Sequence, residues 1–461
     1  MLVALAIGFC VYAVFAVLRW RTALIWFLAV LPMLPGLQAL PQMPTLSIYR
    51  LLLIPILFGW FLAPARRPIG PIVRRITIVI AVWVAANIAS SITSVDMSGS
   101  LKRTLTLLEY VPLLYMFGSL ESNPVLALRV RLALVVGLFM VIAYALVETV
   151  TGANPFFDAG WFNPVLLEQD YVRLHMRAGT TRIAGPMGQP INLGLYLGMI
   201  VPPAAVIIWQ EFGRMKWIAL GVVIPLSLWF EFRTFSRGPW IGAVAACVAA
   251  ALVWSWRRRR VLVAVRTLGA VLAFAWVAIT FAPPDLMAFV NQSLGTASYD
   301  QDPNISSRFE TLGLTADILK ERPVFGLGPG VVFHDMMDPG EGVLARYGGI
   351  SLENQYVYVA LDTGLVGLAA YLLLMLHFGQ RALRRTKLTH GTASAAYGTA
   401  LFAAWVAFMV TASTVQVAGF QTMMLASLMG QAYGSPSWQT SFARKASSVK
   451  LRRQVSLAEG P

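Results

Sequence analysis

Residues 192–210 read NLGLYLGMIVPPAAVIIWQ, without one Asp, Glu, Lys or Arg. Wound as a helix rising about 1.5 Å per residue, such a stretch crosses a hydrocarbon core of about 30 Å. Blocks of the same kind, roughly 17–23 residues long, recur along the chain. They place candidate spans at 2–18, 22–37, 49–64, 76–93, 104–119, 132–149, 192–210, 216–232, 238–255, 261–282, 355–377, 393–411 and 415–433. Composition agrees: 57% of residues are hydrophobic and 12% charged, against about 25% charged in a soluble domain. So many apolar residues cannot all sit beneath one water-facing surface. The expected fold is an all-α polytopic integral membrane protein of about 12–13 transmembrane helices, a single transmembrane domain over 1–433. Soluble enzymes, secreted disulfide scaffolds and nucleic-acid binders are excluded. The two cysteines, Cys10 and Cys247, both lie inside apolar blocks and offer neither a disulfide framework nor a thiolate metal site. The first block has no basic n-region and no small-residue cleavage site, so it reads as a retained helix rather than a signal peptide.

Net charge is +15, and its distribution explains it. With the N-terminus outside, every second connection is cytoplasmic. Those connections hold Arg19 and Arg21; Arg66, Arg67, Arg74 and Arg75; Arg129 and Arg131; Arg214 and Lys216; Arg257 to Arg260; Arg381, Arg384, Arg385 and Lys387. The tail adds Arg444, Lys445, Lys450, Arg452 and Arg453. Together they are 23 of the 36 basic residues, with only Glu121, Glu211 and Glu459 as acids beside them. That bias is the positive-inside pattern. It points to a basic cytoplasmic tail over 434–461 in contact with anionic membrane lipids.

Two connections on the opposite side, 150–191 and 283–354, are too long to be simple turns, and loops of that length usually do something. The second carries ten acids against four bases. Within it, Ser307-Arg308-Phe309-Glu310 reads as a capping box, and Phe309, Leu312, Ala316 and Leu319 form a helical apolar stripe suited to lie on the bundle. Pro323 stops that helix, and Gly326, Gly328 and Gly330 make a permissive turn. This connection therefore reads as a folded lid. Its glycine run lacks the Gly-Lys-Ser/Thr ending and a following helix, so it is a turn and not a nucleotide cradle.

Arginines cluster on this outer face beyond what topology needs. Arg233 and Arg237 stand at the junction of two spans, Arg182 just before a span, and Arg308 in the first turn of the lid helix. Arginine grips phosphate bidentately and stays charged, and charges near membrane depth are expensive and usually functional. The bland alternative pairs each with a nearby acid, Glu231 or Asp317, or sends it to lipid headgroups. Glu353 opens the span after the lid, where a carboxylate serves as a helix cap or as a general base beside the arginines. His175 and His334 are lone outer histidines, while His377 and His390 lie on the cytoplasmic side. No His, Asp and Glu spacing resembles a metal site. Glu109 is an intramembrane carboxylate that Tyr110 or an arginine can satisfy.

Four elements in order carry a resemblance. They are Arg182-Ile183-Ala184-Gly185-Pro186 running on to Asn192; Phe235-Ser236-Arg237-Gly238; Ser307-Arg308-Phe309 leading through Arg322-Pro323 to Gly330; and Glu353-Asn354-Gln355-Tyr356 continuing through Asp362 and Gly364 to Gly367. Their order, spacing and placement over about residues 170–380 resemble the O-antigen ligase / O-antigen polymerase superfamily of bacterial membrane glycosyltransferases. The resemblance implies a multi-pass inner-membrane enzyme with a periplasmic active face that needs neither nucleotide, metal nor other cofactor. Its donor would be an undecaprenyl-diphosphate-linked oligosaccharide, transferred with inversion to an acceptor hydroxyl.

Carried onto this chain, the resemblance gives diphosphate binding to Arg182, Arg233, Arg237 and Arg308 and the base position to Glu353. Asn354, Tyr356 and His334 would position acceptor or glycan. The ligases typically carry His immediately before that Asn, where this chain has Glu353. The departure favours a polymerase of O-antigen or exopolysaccharide repeat units, whose acceptor is a second lipid-linked unit and which can work with a chain-length regulator. The alternatives are a ligase acting on lipid A–core or protein, and, from another class, a lipid-linked glycan transporter. A transporter would show inverted repeats and charges at the midplane; here the charges cluster at one face. Intramembrane proteolysis would need a Ser–His pair, and His377 lies far from Ser236 in this topology.

Overall fold

The computed structural model describes residues 2–34, 39–40, 43–63, 71–158, 176–177, 180–258, 269, 312–313, 315–331, 354–387, 393–415, 417 and 419–434. Thirteen main helices run in chain order among the described residues. They are α1 (Leu2–Leu18), α2 (Trp20–Val30), α3 (Ile48–Leu62), α4 (Pro71–Ile92), α5 (Met97–Leu108), α6 (Tyr110–Leu120) and α7 (Pro124–Thr151). After them come α8 (Pro190–Glu211), α9 (Lys216–Arg233), α10 (Arg237–Arg258), α11 (Gln355–Lys387), α12 (Ala393–Thr411) and α13 (Gly419–Tyr433). The only strands among the described residues form two short antiparallel hairpins, Ala39–Leu40 with Met43–Ser47 and Met176–Arg177 with Thr180–Thr181. The protein is thus an all-α, multi-pass membrane protein. Seven helices among the described residues are long and apolar enough to cross a membrane, and three shorter apolar ones accompany them. Large apolar side chains such as Val150, Trp217, Ile218 and Trp256 stand exposed on the bundle's outside, which water would not tolerate and acyl chains do.

Local chemistry sets the helix ends. Asn123 caps α7, its Oδ1 accepting from Val125 N (3.0 Å), with Pro124 at the first helical position and left-handed Gly152 (φ 68°) closing the far end. Asp96 caps α5 by accepting from Gly99 N at 3.0 Å. The single span expected over 104–119 is two helices, α5 and α6, interrupted at Glu109. That carboxylate takes Arg50 Nε at 3.1 Å. On α5, Ser100 and Thr104 are buried toward α4, where Ser91 Oγ meets Thr104 Oγ1 at 2.8 Å. Side-chain hydroxyls thus tie α4 to α5.

Small residues bring α10 against α12. A Cβ on Gly238 would strike Thr414, and one on Gly242 would strike Thr411; one turn further on, Ala246 packs on Ala403 and Ala407. Close backbone approach through small side chains is how helices associate in lipid.

Helix α11 is broken at Gly364 (φ 65°, ψ −170°), and the segment 323–328 fills the break. In an unbroken helix Leu365 N and Val366 N would bond to Leu361 O and Asp362 O. Instead Leu365 N donates to Pro323 O (2.9 Å) and Val366 N to Val324 O (3.4 Å). The carbonyls so released accept from Leu327 N (2.8 Å) and Gly328 N (2.9 Å). Ser90 Oγ from α4 adds a hydroxyl within 2.7 Å of Asp362 O and 2.6 Å of Phe325 O. All four backbone groups exposed by the break are thereby paired, as an apolar surrounding requires. Gly326, Gly328 and Gly330 all have positive φ, as expected of that turn.

A Cβ on Gly364 would overlap the backbone of Val324. Gly364→Ala should therefore lower stability by about 1–3 kcal/mol from backbone strain alone, and by more with the overlap. Gly221→Ala, on helix α9 with nothing within 4 Å of the added Cβ, is the control and should be neutral or stabilising. Thermal midpoints in detergent check the pair. Equal midpoints would mean that the break tolerates a side chain.

Residues 315–321, within the connection read as a lid, form a short helix. Its buried face is not the expected one. Thr315 and Ile318 are buried; of the expected stripe, Leu312 (48% exposed) and Ala316 are exposed, Leu319 is half-buried, and Phe309 lies outside the described residues. The turn is oriented by its exit through Arg322 and Pro323 into the α11 break, and that anchorage overrides the local apolar stripe. The expected span 261–282 lies outside the described residues except for residue 269.

Candidate functional site

Helices α8, α10 and α11 all begin at one end of the bundle, where α12 finishes. Gln421 Nε2 of α13 donates to Asn192 O of α8 (3.1 Å), a Cβ on Gly194 would meet Pro239 of α10, and Gln355 N of α11 donates to Ala412 O (2.9 Å). Gln355 Oε1 in turn accepts Val417 N at 2.9 Å. Three helix N-termini at one place set three positive dipole ends there.

Arg182 ties the first two elements together. Its Nε donates to Thr234 O (2.8 Å) and its Nη2 to Ser236 Oγ (2.7 Å), while Ile183 N donates to Arg233 O (3.1 Å). The segment beginning at Arg182 is therefore laced to the 233–236 junction, and Arg182, Arg233 and Arg237 share one neighbourhood, each half-buried. At the centre of the junction, Phe235 is buried with φ 45°, the only positive φ of a non-glycine residue among those described. Such strain persists only where surrounding contacts enforce it, and it clusters at functional sites. Here the buried Phe235 ring, the Arg182 bridge and Thr234 Oγ1 on Glu231 O (2.7 Å) enforce it. Arg233 lies over the Phe235 ring at 6.0 Å, with its Nε buried and unmatched.

The acids suggested as bland partners for these arginines do other things. Asp317 pairs with Lys320 at 2.7 Å on an exposed surface. Glu231 is buried with Oε1 unmatched, facing Gly194 and Pro239, while its main-chain oxygen takes Trp240 Nε1 (2.6 Å).

Behind Arg182 stands a residue that the sequence reading passed over. Glu148, in the last turn of α7, is buried and accepts Ala184 N (3.1 Å), Gly185 N (2.7 Å) and Asn154 Nδ2 (3.1 Å). Asn154 also donates to Gly185 O (3.0 Å) and accepts Tyr144 OH (2.7 Å). This carboxylate holds the segment that carries Arg182. Being the one acid in the 132–149 block was the available signal, since intramembrane carboxylates are seldom idle. Glu148→Gln sets an amide N–H against a backbone donor. It should destabilise by about 1–3 kcal/mol, read as a lowered thermal midpoint. An unchanged midpoint would show that the segment is held without it.

At the start of α11, Asn354 is the cap, its Oδ1 accepting Tyr356 N (2.9 Å) and Val357 N (3.3 Å). The Tyr356 hydroxyl donates to Met409 O (2.6 Å), joining α11 to α12. Two turns along, Asp362 is buried, accepts Gly330 N at 3.1 Å and interacts with Arg103 and Tyr358. It joins α4, α5, α11 and the glycine turn. Glu353, Arg308 and His334 lie outside the described residues.

The opposite end of the bundle is built differently. Glu121, between α6 and α7, is buried between Arg131 (2.8 Å) and Arg385 (2.9 Å). Both guanidiniums lie over the Tyr397 ring. Burial pushes the Glu121 carboxyl up, but the two arginines outweigh it and hold it below the usual carboxylate range. The stabilisation it provides is present above an ordinary carboxylate pKa of about 4.3 and is lost as pH falls through the lowered folded value. Two of the basic residues counted toward orientation are thus interior ion-pair partners. The arginines of the candidate site and this triad sit at opposite ends of the same helices, α7 and α11.

Residues 221–372 match the family model described as O-antigen ligase. No curated protein matches the chain. The matched stretch starts within α9, contains Arg233, Arg237 and Asn354, and ends in α11 beyond the Gly364 break. The match supports glycan transfer of the general O-antigen ligase/polymerase type, with a lipid-linked glycan and an acceptor as substrates.

Proposed function

We propose, starting from that match of residues 221–372, that this protein polymerises undecaprenyl-diphosphate-linked oligosaccharide repeat units at the periplasmic face of the bacterial inner membrane. The observation that carries the reading is the Arg182 bridge to Thr234 and Ser236, which gathers Arg182, Arg233 and Arg237 where α10 and α11 begin. Cations and helix N-termini together suit a diphosphate.

In the reaction, the acceptor hydroxyl oxygen attacks the anomeric carbon of the donor's reducing-end sugar from the face opposite the diphosphate. The carbon–oxygen bond to the diphosphate breaks, its electron pair leaves on undecaprenyl diphosphate, and the configuration inverts. Arg182, Arg233, Arg237 and Arg308 stabilise the charge that develops on the leaving group. Glu353 takes the hydroxyl proton. The 283–354 connection closes over the glycan, with Asn354, Tyr356 and His334 along its acceptor side. The Asn354 amide oxygen and the Tyr356 hydroxyl are engaged by the backbone, so these two act by fixing the start of α11.

A ligase reading is favoured by the O-antigen ligase family that residues 221–372 match; the acceptor would then be lipid A–core. One experiment separates the two: purified protein in lipid, supplied with undecaprenyl-diphosphate repeat units and its products resolved on a gel. A ladder of chains still on the lipid diphosphate is the expected result. Product only after lipid A–core is added would make the protein a ligase, and no product with any acceptor would move it to the transporter class.

A further inference from the structure

The end of the bundle remote from the arginine junction holds more buried donors than acceptors. Arg381 and Arg385 sit one turn apart on α11, facing the last turn of α13. Arg385 donates to Glu121 and to Gln431 O, yet its Nε remains buried without an acceptor. Arg381 Nε, Gln431 Nε2 and Tyr433 OH are buried without a partner among the described residues as well. The two arginines, Gln431 and Tyr433 are each more than nine-tenths buried, and Tyr433 interacts electrostatically with Arg381. Each buried donor left unmatched costs about 1–3 kcal/mol, so four together call for an acceptor between them.

Charge makes the same demand. Glu121 lies between Arg131 and Arg385, and Glu211 adds a second carboxylate on the Arg131 side. No carboxylate among the described residues acts on Arg381; its charged neighbours are Arg384 and Arg385. Segments 64–70, 388–392 and 435–461, which lie outside the described residues, contain Glu459 as their only acid. A guanidinium in this position without a counter-charge is expensive. Capping of the α11 C-terminus by basic side chains accounts for exposed Arg384, but not for a buried Arg381 beside unmatched Gln431 and Tyr433.

We propose that Arg381, Arg385, Gln431 and Tyr433 form a binding site for a phosphate group, and that Arg384 widens its positive field. The site lies where a transmembrane helix ends, the level at which lipid headgroups carry phosphate. An anionic phospholipid and free inorganic phosphate share this chemistry. The site is independent of the glycan-transfer reading, since none of its residues belongs to the junction of Arg182 and Arg237.

The test uses the full-length protein, delipidated in detergent, with the thermal unfolding midpoint followed against added phosphatidylglycerol, inorganic phosphate or phosphatidylcholine. Phosphatidylglycerol should raise the midpoint saturably and phosphatidylcholine should not. Arg381→Gln should raise the half-saturating concentration at least tenfold, about 1.4 kcal/mol. The control Arg214→Gln, a basic residue outside the cluster, should leave it unchanged. A midpoint rise with inorganic phosphate alone, lost in Arg381→Gln, would support the site and identify free phosphate as its ligand. Should Arg381→Gln fail to fold, Tyr433→Phe carries the same comparison. Equal responses of wild type and variants to both phosphates, or an equal loss in Arg214→Gln, would overturn the proposal and leave the donors to buried water.

Discussion

Glu353→Gln is expected to fold and insert as the wild type does while its turnover at neutral pH falls by roughly 10²–10⁴. The structure supplies the reason for the first half. The cap of α11 is Asn354, whose Oδ1 holds Tyr356 N and Val357 N, so the helix start does not depend on the carboxylate before it. Chemistry supplies the second half. A glutamine can accept a hydrogen bond from the acceptor hydroxyl but cannot take its proton away. For a carboxylate base, activity is present above its pKa and declines as pH falls through it; the glutamine variant loses that limb. Initial rates of chain elongation from pH 4 to 8 in both proteins measure this. Rates within twofold of each other at every pH would remove Glu353 from proton transfer.

Arg237→Lys and Arg308→Lys should each reduce turnover by roughly 10²–10³, the usual cost of removing one donor aimed at developing negative charge. Lysine keeps the charge, so a general electrostatic attraction for the lipid-linked donor survives. What is lost is the planar pair of N–H groups that spans two phosphate oxygens. Arg237 opens α10, and the adjoining Ser236 Oγ is already tied to Arg182 at 2.7 Å, so the backbone at that point is fixed by contacts that the substitution leaves alone. The variant's thermal midpoint should stay near wild type and the loss should appear in kcat more than in KM. Wild-type turnover in both variants would end the diphosphate assignment.

The spans were legible because hydropathy sums over many residues and a single misjudged position does not alter it. Apolar counting could not see the interruption at Glu109, where a polar face on α5 turns toward Ser91 of α4. The arginine junction was legible as a set of residues, since Arg182, Arg233 and Arg237 stand in short motifs. How they are joined was not legible: the Arg182 bond to Ser236 spans 54 positions, and the Glu148 bond to Gly185 spans 37. For Glu353, helix capping and a base role stood open from sequence. The structure assigns the cap to its neighbour, because an amide oxygen one residue before the helix reaches the free N–H groups of the first turn. The lid stripe at Leu312 and Ala316 was misjudged for a related reason. So short a helix follows its anchor, here the strand-like exchange of hydrogen bonds at the α11 break, and not its own periodicity.

The buried contact of Glu121 with Arg385 joins positions 264 residues apart. During synthesis, the hairpin of α6 and α7 can hold Glu121 with Arg131 alone, and the second arginine arrives only when α11 has entered the membrane. The carboxylate is therefore a latch that the last third of the chain closes. The stretch matching the ligase family ends at residue 372, before Arg385, and begins after both Glu148 and Arg182. Excised by itself, that stretch would lack the segment that braces its arginine junction, the helix against which α10 packs, and the latch. Sequence kinship and mechanical independence thus have different boundaries in this protein: the unit that is recognisable across relatives is smaller than the unit that can be taken out and still stand.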